Sequence, residues 1–127
     1  MVQRGFKQLI AEANSVIETI TVAQARLLVG DPGVQFVDVR ETVERQQSGT
    51  IQGAVHAPRG FLEFHVDPES PMHNPALGAG KRLVLFCGSG GRSALAAKTL
   101  HDMGVNNVCH IAGGFAAWRA GEGPTEI

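Results

Sequence analysis

Short runs of β-branched and large apolar residues alternate with stretches of helical spacing along the whole chain. Leu83–Phe86 (LVLF) is the plainest apolar run, and Val34–Val39 (VQFVDV) reads as a second buried strand. Asn107–Ile111 reads as another, Ala54–His56 as a brief one ended by Pro58, and Ser15–Ile20 holds a candidate first strand. Between them lie helical patterns. Residues 5–14 form a short amphipathic helix. Thr21 stands where a helix N-cap belongs, with Gln24 three residues on to complete a capping box. That helix runs over Val22–Leu28 and stops at Gly30-Asp31-Pro32-Gly33. Glu41–Ser48 predicts a short polar helix before Gly49, and Phe61–Phe64 a single turn within an irregular stretch marked by Pro68, Pro71 and Pro75. Ser93–Met103 is the strongest helix, with Ala94, Leu95, Ala97 and Leu100 able to pack inward, and Phe115–Ala120 is a short last one. This alternation predicts an α/β fold of about five mainly parallel strands with helices on both faces. The expected organisation is a helical extension at 1–15 followed by one domain at 16–127.

Composition narrows the class. The 127 residues suit one domain with an unstapled core, and 43% hydrophobic with 18% charged residues is the balance of a soluble globular chain. Eleven Lys and Arg against twelve Asp and Glu leave a net charge of −1, so neither a nucleic-acid nor a membrane partner is expected. Cys87 and Cys109 are too few for a disulfide framework, and His56, His65, His73, His101 and His110 are scattered without metal-ligand spacing. No metal is expected. No apolar run nears the ~20 residues of a membrane span, and the opening MVQRGFKQLIAEANS lacks the apolar stretch of a secretory leader. These features predict a cytoplasmic, reduced setting.

Candidate chemistry concentrates at one place. In parallel α/β sheets, ligands gather where strands end and helices begin. Cys87 follows the LVLF strand directly, and Gly88, Ser89, Gly90 and Gly91 follow it with little side-chain bulk. Such a loop can curl its N–H groups into a nest for an anion, and the helix that starts there adds its positive end. A free thiol titrates near 8.5, and each unit of depression needs ~1.4 kcal/mol. One helix end supplies only ~0.3–1 kcal/mol at an exposed site. Several N–H contacts to sulfur and the charge of Arg92 are therefore expected to share the work, making Cys87 an activated nucleophile. Cys109, inside a predicted strand, reads as a packing residue.

CGSGGRS (Cys87 to Ser93) resembles the active-site loop of the single-domain rhodanese sulfurtransferase family. Phe36-Val37-Asp38-Val39-Arg40-Glu41 resembles that family's DVRE signature, Gly49 to Pro58 its G-x-I-x-G-A-x-x-x-P segment, and Gly113 to Trp118 its closing GGF-x-x-W block. The four motifs stand in the family's order and span Thr21 to Gly121. The resemblance implies a sulfurtransferase without a cofactor, with Cys87 alternating between thiolate and persulfide. The loop residues Gly88, Ser89, Gly90, Gly91, Arg92 and Ser93 would hold the substrate. The implied partners are a small anionic sulfur donor, a cyanide or thiol acceptor, and protein donors or acceptors of sulfur. The donor signals conflict: CGSG is similar to the loop of mercaptopyruvate-using relatives, while Arg92 is typical of thiosulfate users. The expectation leans to thiosulfate.

The remaining motif residues carry blander readings. Asp38 and Arg40 are expected to pair structurally and fix a loop below the sheet. His56 and Arg59 are candidates for the mouth of the site, and Trp118 for a core lid on the last helix. A cysteine phosphatase also sets Cys and Arg on a helix N-terminus, but its pattern has five intervening residues against four here. The other alternative is a persulfide carrier or redox sensor that does not turn over. Nucleotide motifs fail: Ser93 stands where GxGxxG needs its third glycine, and Arg82 follows Gly80-Lys81 where a P-loop needs Ser or Thr.

Overall fold

The apolar runs become the strands of one parallel sheet. The structure, a computed structural model, describes residues 1–127. Its strands are β1 (Glu18–Ile20), β2 (Val34–Asp38), β3 (Thr50–Ile51), β4 (Val55–His56), β5 (Arg82–Phe86), β6 (Val108–Ile111) and β7 (Thr125–Glu126). Its helices are α1 (Phe6–Val16), α2 (Val22–Arg26), α3 (Thr42–Ser48), α4 (Leu62–Val66), α5 (Gly91–Asp102) and α6 (Gly114–Ala120). Five strands pair in the order β1-β6-β5-β2-β4, all parallel, with Val37 of β2 beside Leu85 of β5 and Leu85 beside His110 of β6.

Alternation along the strands splits the core in two. Val37, Leu83, Leu85 and Cys87 turn to one face, where Leu62 and Val66 of α4 and Ala96, Ala97 and Leu100 of α5 cover them. Phe36, Val84, Phe86, Cys109 and Ile111 turn to the other, under Ala25 of α2 and Phe115 and Trp118 of α6. The central strands are thus buried on both sides, which is why their sequences are nearly continuous apolar runs. Helix α1 packs along α5 and buries Ala13 completely.

Differences from the sequence reading lie at the ends of elements. Helix α1 continues to Val16, so β1 begins only at Glu18. Helix α2 ends at Arg26 rather than Leu28 and runs out in tight turns, with Leu28 N–H bonded back to Ala25. The Thr21–Gln24 capping box forms as expected. Helix α5 starts at Gly91, two residues before the expected Ser93, and Leu95 is only half-buried while Ala96 joins the core. The antiparallel pair β3–β7 has no counterpart in the sequence reading, since two-residue strands show no period.

Candidate active site

Cys87 directly follows β5 with its side chain turned into the core and is 1% exposed. The next residues bend back over its sulfur. Gly90 N–H donates to Cys87 Sγ at 3.1 Å and Ser93 N–H at 3.3 Å, while the thiol lies 3.6 Å from Ser93 Oγ. Gly90 holds a left-handed φ of 112° as the residue before α5, a conformation a side chain would resist. Burial pushes the Cys87 thiol up. The Ser93 hydroxyl and the N–H groups of Ser93, Gly90 and Ser89 outweigh it and leave the thiol below its ordinary value. Cys109 is pushed up by burial, which the Arg82 guanidinium beside it offsets only in part.

The loop's carbonyls are held from behind. At the start of α6, Phe115 N–H donates to Cys87 O at 2.7 Å and Ala116 N–H to Gly88 O at 3.1 Å. These are N–H groups that the first turn of a helix leaves free. Turning two carbonyls outward to α6 leaves the loop's N–H groups to face the sulfur. The contact needs Gly114, whose added Cβ would stand 2.5 Å from Cys87 O.

Arg92 lies at the start of α5, but its guanidinium makes a two-pronged pair with Glu44 of α3, at 2.6 and 2.9 Å. That pairing holds the Glu44 carboxyl down at about 2. The lowering of the Cys87 thiol comes from the Ser93 hydroxyl and the N–H groups of Ser93, Gly90 and Ser89, whereas Arg92, expected to share that work, is held by Glu44.

Asp38 and Arg40 do pair, at 2.8 Å and fully buried. The Asp38 carboxylate also accepts from Arg40 Nε, Arg40 N–H and Thr50 Oγ1, and Arg40 reaches Ser48 Oγ and Gly49 O. The guanidinium lies 4.3 Å from the Phe115 ring centre. The pair therefore sits at the carboxyl end of the sheet, beside the strand that carries Cys87, and not below the sheet; it ties the β2–α3 connection to α6. His56 Nε2 is bonded to Arg40 O at 2.7 Å. Arg59 binds Glu63 and Thr99 Oγ1, the latter two turns along α5 from the loop. Neither residue hydrogen-bonds to the loop. Trp118 is fully buried, edge-on to Phe36, as a lid on the core should be.

The sequence reading gave no role to His110 and Asn14. His110 is buried and its Nδ1 stands 2.9 Å from Ser93 Oγ. Its Nε2 stands 2.9 Å from Asn14 Oδ1 of α1. The available signal was alternation: His110 shares its strand face with Val108, the face that also takes Cys87. A cleft of about 660 Å³ opens beside the loop, with Phe6, Ile10 and Leu95 as its apolar wall and Asn14, Thr19 and His110 as its polar part. Ser89 to Arg92 line it as well, whereas Cys87 does not.

A parallel sheet with this loop at its centre is matched by the Rhodanese-like domain over residues 21–121. The chain belongs to the rhodanese-like family. Within that family it is similar to thiosulfate sulfurtransferase 16, chloroplastic, of Arabidopsis thaliana, at 32% identity over 85% of this chain and 90% of the relative. A Bacillus subtilis protein named as a candidate sulfur carrier, YrkF, is 27% identical over 91% of this chain, which spans 58% of that protein's length. A solved structure from Rhodopseudomonas palustris, of unknown function and described as a possible tyrosine phosphatase, superposes with a TM-score of 0.95 at 47% identity, covering 99% of this chain and 97% of its own. The rhodanese-like match begins after α1, so the helix that supplies Asn14 lies outside it.

Proposed function

We propose that this rhodanese-like domain is a sulfurtransferase that moves sulfane sulfur through a persulfide on Cys87. The observation that carries the reading is the sulfur of Cys87 at the end of β5, with two N–H groups and a hydroxyl converging on it. These donors favour a negative sulfur in a buried site, whether the thiolate or the terminal sulfur of a persulfide. With thiosulfate as donor, the Cys87 thiolate attacks the outer sulfur and forms a new S–S bond. The donor's S–S bond breaks and sulfite leaves with its electron pair. An acceptor such as cyanide or a thiolate then takes the outer sulfur and restores the Cys87 thiolate. No metal or cofactor enters these steps.

Incubation with thiosulfate or 3-mercaptopyruvate should add one sulfur mass to the wild type and to Cys109→Ser, and none to Cys87→Ser. Sulfur transfer retained in Cys87→Ser would refute the reading. Steady-state turnover to cyanide, set against a single round of loading, separates an enzyme from a carrier. The likeness to a candidate sulfur carrier makes the carrier the second reading. Phosphatase action is tested with an aryl phosphate. Four residues between Cys87 and Arg92, and an Arg92 engaged by Glu44, argue against a phosphoryl seat.

A further inference from the structure

His110 is a buried imidazole that the sulfur chemistry above leaves without a role. Both of its ring nitrogens are bonded. Nε2 stands 2.9 Å from Asn14 Oδ1 and 3.1 Å from Thr19 Oγ1, and Nδ1 stands 2.9 Å from Ser93 Oγ. Ser93 Oγ lies 3.6 Å from Cys87 Sγ. Thr19 Oγ1 also donates to Asn14 Oδ1, so that oxygen is an acceptor and Nε2 carries the hydrogen directed at it. A neutral ring then offers only a lone pair at Nδ1. The Ser93 hydroxyl donates to it at 2.9 Å in preference to the Gly90 carbonyl at 3.3 Å, and the Ser93 oxygen faces the Cys87 thiol as acceptor. The chain of bonds runs one way, from Cys87 through Ser93 to His110.

We propose that His110 accepts the proton of Cys87 through the Ser93 hydroxyl, with Asn14 of α1 fixing the ring in the tautomer that can do so. The Cys87 S–H bond breaks and its electron pair stays on sulfur. Ser93 takes that proton and gives its own to His110 Nδ1, ending unchanged. Two neutral groups become a thiolate and an imidazolium, and nothing is oxidised. The chain of bonds then reverses: Nδ1–H donates to Ser93 Oγ, and the Ser93 hydroxyl turns to the thiolate. Burial lowers the basicity of His110, so the ring charges only when the thiolate beside it supplies the opposite charge. The proposal rests on Cys87 being the reacting thiol. Ser93 touches the reacting sulfur, and His110 and Asn14 are positioning residues that act through it.

Few other charges face this chain. On α5, Arg92 is paired with Glu44 of α3, and on β1, Glu18 is paired with Arg82 of β5. Helix α1 presents Phe6, Ile10 and Asn14 to the cleft, none of which titrates, and its Glu12 is bound to Arg4. Cys109, next to His110, faces the opposite side of the sheet.

The test is the pH profile of Cys87 alkylation by iodoacetamide, in the full chain carrying Cys109→Ser. His110→Asn keeps a polar group near Nδ1 but cannot charge. It should move the profile up by about one unit, which is roughly tenfold slower alkylation below the apparent pKa. Asn14→Asp sets a carboxylate against Nε2–H, favours the imidazolium, and should move the profile down. That shift should vanish when His110→Asn is added. A plain negative charge near a thiolate would do the reverse. An unchanged profile in His110→Asn, or an upward shift in Asn14→Asp, overturns the proposal, and Asn14→Asp decides alone should His110→Asn fail to fold. Sulfur uptake is read separately by mass. Alkylation that depends on His110 without any sulfur uptake would keep the relay and sink the sulfurtransferase reading.

Discussion

The Glu44–Arg92 pair sets how strongly the loop can attract an anion from solution. Its Arg92 charge was expected to draw in a doubly negative donor, yet a carboxylate already occupies both prongs of the guanidinium. Glu44→Gln keeps the oxygen that accepts from Glu41 N–H and removes the opposing charge. Loading by thiosulfate should then quicken by about fivefold, the factor that ~1 kcal/mol of charge attraction in water represents. The gain should fade at high salt, as measured by stopped-flow loading in graded ionic strength. The same pair also ties stability to acid. A carboxyl lowered to about 2 contributes its stability in full above the ordinary carboxylate range, and that contribution is lost as pH falls toward 2. Asp38 is spent differently. Removing one member of a buried pair costs about 3–5 kcal/mol, so Asp38→Ala should lower the urea midpoint steeply. Asp38→Asn, which fills the same space and keeps one acceptor, should lose less, and the folded fraction of both should still take up sulfur. Normal stability with transfer abolished would place Asp38 in the chemistry instead.

Helix α6 positions the loop, and Gly114 is the residue that lets it approach. A methyl there would meet Cys87 O at 2.5 Å and the Gly88 carbonyl at 2.8 Å, all backbone, with φ at +62°. Gly114→Ala should therefore shift the loop and cut sulfur transfer on the order of 10²-fold, the scale of a 1 Å misplacement. Gly60→Ala, with nothing within 4 Å and no positive φ, is the matched control and should leave transfer intact. Elements of this kind were legible where their cause is local. The Thr21–Gln24 box, the LVLF strand and the glycine loop each lie within a few consecutive residues. What stayed hidden was joined only by folding: His110 meets Asn14 across 96 positions, and Arg92 meets Glu44 across 48. No pattern of spacing marks such partners.

Residues 123–126 fold back over the second face of the sheet. Strand β7 pairs with β3, Gln52 N–H donates to Pro124 O, and the Trp118 indole N–H donates to the same carbonyl at 3.0 Å. Gly123 packs so flat on the indole that an added Cβ would stand 2.3 Å from it. Trp118 is the one tryptophan of the chain, so its emission reports this closure. Deleting 122–127 should shift the emission to longer wavelength and lower the melting temperature.

The sheet that buries both cysteines also keeps them apart. Cys109 sits beside Val84 in the register of β5 and β6, three residues short of Cys87, and on the opposite face. Three strand residues are about 10 Å, beyond the ~4.4–6.8 Å between Cα atoms that a disulfide spans. A second copy offers only cysteines as buried as these, at 1% and 0% exposed, so the sulfurs of two folded copies do not meet. Cys109 is therefore not a resolving thiol for Cys87. Mild peroxide should leave the chain monomeric on a non-reducing gel, with its sulfenic acid persisting until a small thiol diffuses in, and repair at rates set by that visitor's size.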